Sequence, residues 1–118
     1  METKNTGFSR FIRAFFYSLA GLRHVYVSEV AFRQECWVSA VLFLIACFLD
    51  VTKTEHIALV GSLVLVLIVE IINSALETVI NRILAEIHPL SKQVKDMASA
   101  AVLLALINAL LTWFIVLA

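Results

Sequence analysis

A polar run ends the most apolar stretch of the chain, and its side chains could do chemistry there. Residues 57–69 carry no charged side chain, and the polar residues that follow are Glu70, Asn73, Ser74, Glu77 and Asn81. At about 100° per residue, these side chains share one face of a single helix. A carboxylate at membrane depth costs roughly 2.5–3.5 kcal/mol on insertion scales, so each one is a candidate functional group. Carboxylate and carboxamide oxygens together suit a hard divalent cation such as Mg²⁺.

The composition indicates an integral membrane protein. The chain has 118 residues, of which 62% are hydrophobic, and its mean hydropathy is +0.98. A soluble domain of this size cannot bury so much apolar surface in one core. The formal net charge of +0 says nothing about nucleic acid, and no run rich in Lys or Arg is present that would argue for it, so we expect no nucleic-acid partner.

The hydropathy pattern predicts one all-α integral membrane domain over residues 1–118. We expect three transmembrane helices, preceded by an amphipathic helix that lies on the membrane surface with its basic side toward the headgroups. The predicted bounds are about 8–27 for the surface helix and about 30–49, 56–84 and 96–118 for the spans. A soluble helix packed on a partner is the alternative for the first segment. Pro89 is expected in a loop, because it stops a continuing helix.

The distribution of Lys and Arg predicts the orientation in the membrane. The loop between the first two spans carries only Lys53. The remaining Lys and Arg residues lie in two groups. Those before the first span or at its start are Lys4, Arg10, Arg13, Arg23 and Arg33, and those around the second loop are Arg82, Lys92 and Lys95. The positive-inside rule therefore puts the N-terminus and the second loop in the cytoplasm.

This topology brings acidic and basic groups from separate segments to one cytoplasmic interface. Glu29 ends the surface helix, the Glu70–Glu77 run lies in the second span, and Lys95, Asp96 and Ser99 open the third. Oxygen ligands suit Mg²⁺, and a lysine suits an anionic phosphate. The set fits metal-assisted phosphoryl transfer, in which positioning and charge neutralisation carry the catalysis. Burial in an apolar span would suit Glu70 to act as a general base.

Structural or conducting roles are the alternatives for these residues. Glu70 could be a structural hydrogen-bonding group or pair with Arg33 or Lys95, and Asn73 and Ser74 could bond one helix to another. An acidic stripe could also line a proton or cation channel, although the first and third spans carry no carboxylates in their outer halves. A purely structural bundle would need no charged stripe. No GxxxxGK[ST] or GxGxxG motif is present, so any nucleotide must be held by another architecture.

Four segments resemble those of the prokaryotic diacylglycerol kinases, small membrane lipid kinases unrelated to soluble kinases. In chain order they are Gly7-Phe8-Ser9-Arg10, the run from Glu29 to Glu35, the run from Glu70 to Glu77, and Lys95-Asp96-Met97-Ala98-Ser99. The resemblance covers nearly the whole chain. It implies a homotrimer in the bacterial inner membrane, with active sites shared between neighbours. It also implies that MgATP phosphorylates the primary hydroxyl of 1,2-diacylglycerol, which gives phosphatidic acid.

The resemblance implies a role for each matching residue. Glu70 would be the catalytic base, supported by Asn73. Glu29 and Glu77 would be the Mg²⁺ ligands. The residues implied to contact ATP are Arg10, Tyr17, Glu29, Glu77, Glu86, His88, Lys95 and Asp96. Those implied to lie near the lipid are Arg10, Arg33, Gln34, Glu35, Glu70 and Ser99.

Three positions depart from the family pattern. Asn81 stands where an acidic residue is usual, Ala98 replaces a usual Gly, and Phe48 replaces a usual interfacial Trp. None of them is the implied base or a metal ligand. A kinase of the same family that acts on undecaprenol is the alternative enzyme, because both lipids present a hydroxyl at the same interface. The retained segment from Phe32 to Glu35 favours diacylglycerol.

Overall fold

Four helices make up the part of the chain that the structure describes, residues 7–83 and 89–118. In this computed structural model they are α1 (Gly7–Ser28), α2 (Val30–Cys47), α3 (Lys53–Ile83) and α4 (Pro89–Leu117). Helices α2, α3 and α4 are long and apolar enough to cross a membrane. These helices confirm the predicted all-α class, with three spanning helices that follow an N-terminal amphipathic helix. The homotrimer stays a prediction.

Helix α1 exposes a row of aromatic side chains. Phe8, Phe11, Phe15 and Phe16 are all exposed, whereas Val25 is its buried residue. The rings of Phe15 and Phe16 meet edge to face, with their centroids 5.7 Å apart. A helix with exposed aromatics on one side and arginines on the other is suited to lie at the boundary of headgroups and acyl chains.

Local sequence signals explain where α3 and α4 begin. Thr52 and Glu55 form a capping box, in which the Glu55 amide donates to Thr52 Oγ1 at 3.1 Å and the Thr52 amide donates to Glu55 Oε1 at 2.9 Å. The sequence predicts Pro89 in a loop, but Pro89 is the first residue of α4. Proline is tolerated there because the first amide of a helix has no intrahelical acceptor.

The core lies between α3 and α4, which pack together more extensively than any other pair of helices. Leu59, Leu63 and Val66 of α3 are buried, as are Ala98 and Ala105 of α4. Small residues at such an interface let two membrane helices approach closely. The additional methyl group of Ala98 is therefore accommodated where the family pattern has glycine.

The single chain leaves much apolar surface uncovered. It extends over 51 × 44 × 22 Å and exposes 8990 Å², whereas a compact soluble monomer of its mass, 13.2 kDa, exposes about 6,400 Å². Large apolar side chains such as Trp37, Leu104 and Phe114 are exposed along the spanning helices. This surface must be covered by lipid or by further protein.

Candidate active site

Glu35 of α2 and Glu70 of α3 meet at the centre of the polar cluster. Glu70 is buried, with 9% of its surface exposed, and the Glu35 carboxyl interacts with it directly. Oε1 of Glu35 is also buried and has no hydrogen-bond partner among the described residues. Two ionised carboxylates in contact repel each other. Ionisable groups buried within membrane-spanning helices are candidate functional groups, which makes this pair the candidate centre of the site.

Asn73 lies about one turn beyond Glu70 on α3. Its Oδ1 atom is buried and has no hydrogen-bond partner within residues 7–83 and 89–118. Leaving such a group unpaired costs about 1–3 kcal/mol. An unpaired amide oxygen near a buried carboxylate is the kind of donor that a hard cation with its water shell, or a hydroxyl group, can use.

Glu29 lies at a cleft of about 540 Å³ between α1 and α3. The lining residues are Ser18, Gly21, Leu22, His24, Val25, Ser28, Glu29, Ile71, Ser74, Ala75 and Thr78. Glu29 occupies the N-cap position of α2, but its side chain makes no capping hydrogen bond. Its carboxylate therefore remains available to a ligand in the cleft.

Glu77 is half-buried and lies on α3 next to Thr78, but it is not among the residues that line this cleft. Among the described residues, no three His, Cys, Asp or Glu side chains form a group that could hold a metal ion. The donors fit Mg²⁺ by chemistry, because they are oxygens. The expected pairing of Glu29 with Glu77 stays a prediction.

Lys95 supplies the basic side of the cluster at the start of α4. Its Nζ donates to Oδ1 of Asn81 on α3 at 2.9 Å. One residue further, Asp96 Oδ2 accepts a hydrogen bond from Lys92 Nζ at 2.7 Å, and both side chains are exposed. Asn81 thus holds Lys95 in place without neutralising its positive charge.

The other predicted contact residues are more dispersed. Arg10 and Tyr17 are exposed on α1, Gln34 is exposed on α2, and Ser99 is exposed on α4. Arg33 is half-buried and donates to backbone carbonyl oxygens of α1. Glu86 and His88 lie outside the described residues.

Several residues that form the walls of the cleft were not among the predicted site residues. Ser18, Gly21 and Ser28 line it from α1, and Thr78 lines it from α3, where its Oγ1 donates to the Ser74 carbonyl at 2.9 Å. Small residues three to four positions apart on α1 were the available signal, because such residues leave space along one helix face.

The comparisons with known proteins agree with the motifs. The family model described as prokaryotic diacylglycerol kinase matches residues 16–117. The chain is 50% identical over 117 residues to the diacylglycerol kinase of Escherichia coli (strain K12). The aligned region covers 99% of this chain and 96% of that protein. It is 44% identical over 108 residues to the diacylglycerol kinase of Pseudomonas aeruginosa, and the aligned region covers 92% of this chain and 88% of that protein. The corresponding enzyme of Haemophilus influenzae is 42% identical over 110 residues, with 93% of each chain covered. The chain therefore belongs to the prokaryotic diacylglycerol kinase family.

Proposed function

We propose that this protein transfers the γ-phosphoryl group of ATP to the primary hydroxyl of 1,2-diacylglycerol, with phosphatidic acid and ADP as products. The observation that carries the proposal is the environment of Glu70, a buried carboxylate on a membrane-spanning helix, in contact with Glu35. Unpaired buried oxygens of Glu35 and Asn73 belong to the same cluster. A lipid hydroxyl is the substrate group that reaches such a site from the membrane.

Glu70 acts as the general base in this proposal. It takes the hydroxyl proton while the lipid oxygen bonds to the γ-phosphorus, and the bond from that phosphorus to the oxygen of ADP breaks. Glu35 and Asn73 orient the hydroxyl group, and the ammonium group of Lys95 offsets negative charge on the transferred phosphoryl group. Arg33, Gln34 and Ser99 are the remaining proposed contacts to the lipid, together with Arg10.

Glu29 and Glu77 are the proposed ligands of Mg²⁺, which supplies neutralisation of phosphate charge when it is bound. The support is chemical, because both offer carboxylate oxygens and the Glu29 side chain has no capping hydrogen bond. The proposed ATP contacts are these two residues together with Arg10, Tyr17, Glu86, His88, Lys95 and Asp96, of which Glu86 and His88 lie outside the described residues.

Three chains would form the working enzyme in the bacterial inner membrane, with the N-terminus in the cytoplasm. The distribution of Lys and Arg supports this orientation. The described residues of one chain contain no complete group of metal-binding side chains. The chain also exposes about 2,600 Å² more surface than a compact soluble monomer of its size would. Both features fit a site completed by a neighbouring chain.

A direct assay tests the proposed activity. Purified protein in detergent micelles is given radiolabelled ATP, Mg²⁺ and either diacylglycerol or undecaprenol, and the lipids are then separated and counted. We expect label in diacylglycerol, and none when Mg²⁺ is chelated. Preferential labelling of undecaprenol would overturn the lipid assignment. No labelling of either lipid by a folded preparation would overturn the kinase assignment.

A further inference from the structure

The side chain of Arg33 is turned back onto the end of the preceding helix. Its Nη1 atom donates to the carbonyl oxygen of Tyr26 at 2.8 Å and to that of Val27 at 2.7 Å. Both residues belong to the last turn of α1. Carbonyl groups at this end of a helix lack intrahelical partners and carry the negative end of the helix dipole. The guanidinium group therefore satisfies two of these carbonyls and offsets their negative charge.

These hydrogen bonds bridge a break in the helical backbone at Glu29. Glu29 is extended, with φ −115° and ψ 110°, and it is the one residue between α1 and α2. The Glu29 amide donates to the Val25 carbonyl oxygen at 2.9 Å, as in a continuing α1 helix. The Arg33 amide donates to the Glu29 carbonyl oxygen at 3.2 Å, which is the first backbone hydrogen bond of α2. The Tyr26 and Val27 carbonyls lie between these two backbone hydrogen bonds, and the Arg33 side chain supplies the donor that each would otherwise lack.

A second side chain braces the same break. Trp37 Nε1, one turn further along α2, donates to the Tyr26 hydroxyl at 3.2 Å. Helix α1 has few contacts with α3 across the cleft. Within one chain, the contacts from α2 are therefore the main constraint on the angle at which α1 leaves Glu29.

The angle at this break determines where the Glu29 carboxylate points. Glu29 lines the cleft opposite Ser74 and Thr78 of α3, and its side chain makes no capping hydrogen bond that would hold it elsewhere. A rotation of α1 about Glu29 would move both this carboxylate and the α1 wall of the cleft. A ligand that needs fixed oxygen positions would then bind more weakly.

We propose that Arg33 is a positioning residue that locks the break between α1 and α2 and so holds Glu29 toward the metal and nucleotide. It acts through the carbonyl groups of α1, in addition to any contact with the lipid. The effect on metal binding rests on the proposed function. The effect on the α1–α2 junction does not, because it can be measured without turnover.

Kinetics of three variants test this assignment. Arg33→Gln removes the charge and shortens the side chain, Arg33→Lys keeps the charge with a single donor group, and Arg23→Gln is a control at an exposed arginine of α1. We expect Arg33→Gln to raise the half-saturating Mg²⁺ concentration about tenfold, in addition to any rise in the KM for diacylglycerol that follows from loss of the proposed lipid contact. Arg33→Lys should recover part of the Mg²⁺ affinity. The Arg23→Gln titration should match the unmodified enzyme.

Fluorescence of Trp37 reports the junction itself. The chain has 2 Trp residues, so Trp113→Phe leaves Trp37 as the single indole reporter. In this background we expect Arg33→Gln, but not Arg23→Gln, to shift the Trp37 emission and increase its quenching by iodide. Should Arg33→Gln fail to fold, the same comparison is made between Arg33→Lys and Arg23→Lys.

The outcomes separate the two proposals. A raised KM for diacylglycerol, with unchanged Mg²⁺ titration and unchanged Trp37 emission, would show that Arg33 contacts only the lipid and would overturn its positioning role. Absence of lipid phosphorylation by the unmodified protein would overturn the proposed function, while the Trp37 measurement would still decide whether Arg33 locks the junction.

Discussion

The two ends of the helix bundle differ in how their polar groups are paired. At the end near the loop between α2 and α3, which we call the closed end, polar side chains cross-link the helices. Nε2 of His56 lies 2.8 Å from the Ala46 carbonyl oxygen at the end of α2. Trp113 Nε1 of α4 donates to the Leu59 carbonyl of α3 at 3.2 Å, and Ser62 Oγ donates to the same oxygen at 2.8 Å.

At the opposite end, which we call the open end, buried oxygens lack partners. Oε1 of Glu35, Oδ1 of Asn73 and Oγ of Ser91 are buried without a hydrogen bond, as far as the described residues show. The cleft between α1 and α3 lies at this end as well, with Glu29 in its lining. Substrates and a metal ion could therefore use groups that the protein itself leaves unpaired.

The difference indicates where stability and chemistry reside. Each unpaired buried group costs about 1–3 kcal/mol, and a hydrogen bond contributes about 0.5–1.5 kcal/mol. The closed end gains from its pairs, whereas the open end retains the cost of three unpaired atoms. Proteins commonly tolerate such a cost at functional sites. Substitutions at the open end should therefore change catalysis, and those at the closed end should change stability.

The largest expected effect comes from Glu70→Gln at the open end. The amide keeps the size of the side chain but cannot take a proton, so kcat should fall about 10²–10⁴-fold, the usual contribution of a general base. The midpoint of unfolding in detergent should change little, because glutamine keeps a hydrogen-bonding group of the same size beside Glu35. Full activity in Glu70→Gln would refute the base assignment.

Glu77→Gln should have a smaller, metal-specific effect. Loss of one carboxylate ligand should raise the half-saturating Mg²⁺ concentration about tenfold, as losses at metal sites commonly do. The matched control is Glu55→Gln at the closed end of the same helix, because glutamine can keep the capping box with Thr52. An unchanged Mg²⁺ titration in Glu77→Gln would count against ligation by this residue.

Trp113→Phe tests the closed end. It removes the hydrogen bond to the Leu59 carbonyl but keeps an aromatic ring at the α3–α4 contact. We expect a loss of about 0.5–1.5 kcal/mol in the free energy of unfolding, measured by titration with a denaturing detergent. The KM values for ATP and diacylglycerol should not change. A raised KM without a loss of stability would contradict the division between the two ends.

Much of this fold could be predicted from the sequence, because the length and hydropathy of apolar stretches decide which helices span a membrane. The shared face of Glu70, Asn73 and Glu77 followed from helical periodicity alone. The start of α4 was less predictable. Proline is compatible both with a loop and with the first turn of a helix, and the residue type alone does not decide between them.

The partners of individual side chains could not be predicted in this way. Pairing of Glu70 with Arg33 or Lys95 was a reasonable alternative from charge. The structure instead places Glu35 beside Glu70 and turns Arg33 onto α1, while Lys95 contacts Asn81. Periodicity defines which face of a helix is polar, but it does not define which residue of another helix lies opposite.

Asn81→Asp is expected to have the smallest effect. It tests whether the open end depends on a Lys95 side chain whose positive charge is not neutralised. The Asn81 oxygen lies 2.9 Å from Lys95 Nζ, so an aspartate there would form an ion pair. Pairs of this kind near the surface are worth about 0.2–1 kcal/mol. The positive charge that Lys95 offers to phosphate would be partly neutralised, and the KM for ATP should rise up to about fivefold. Asn81→Ala, which frees Lys95 without neutralising it, should change this KM less. If Asn81→Asp lowered the KM for ATP instead, the alignment of Lys95 would matter more than its charge. The proposal that a neutral Asn81 leaves the Lys95 charge available to phosphate would then be wrong.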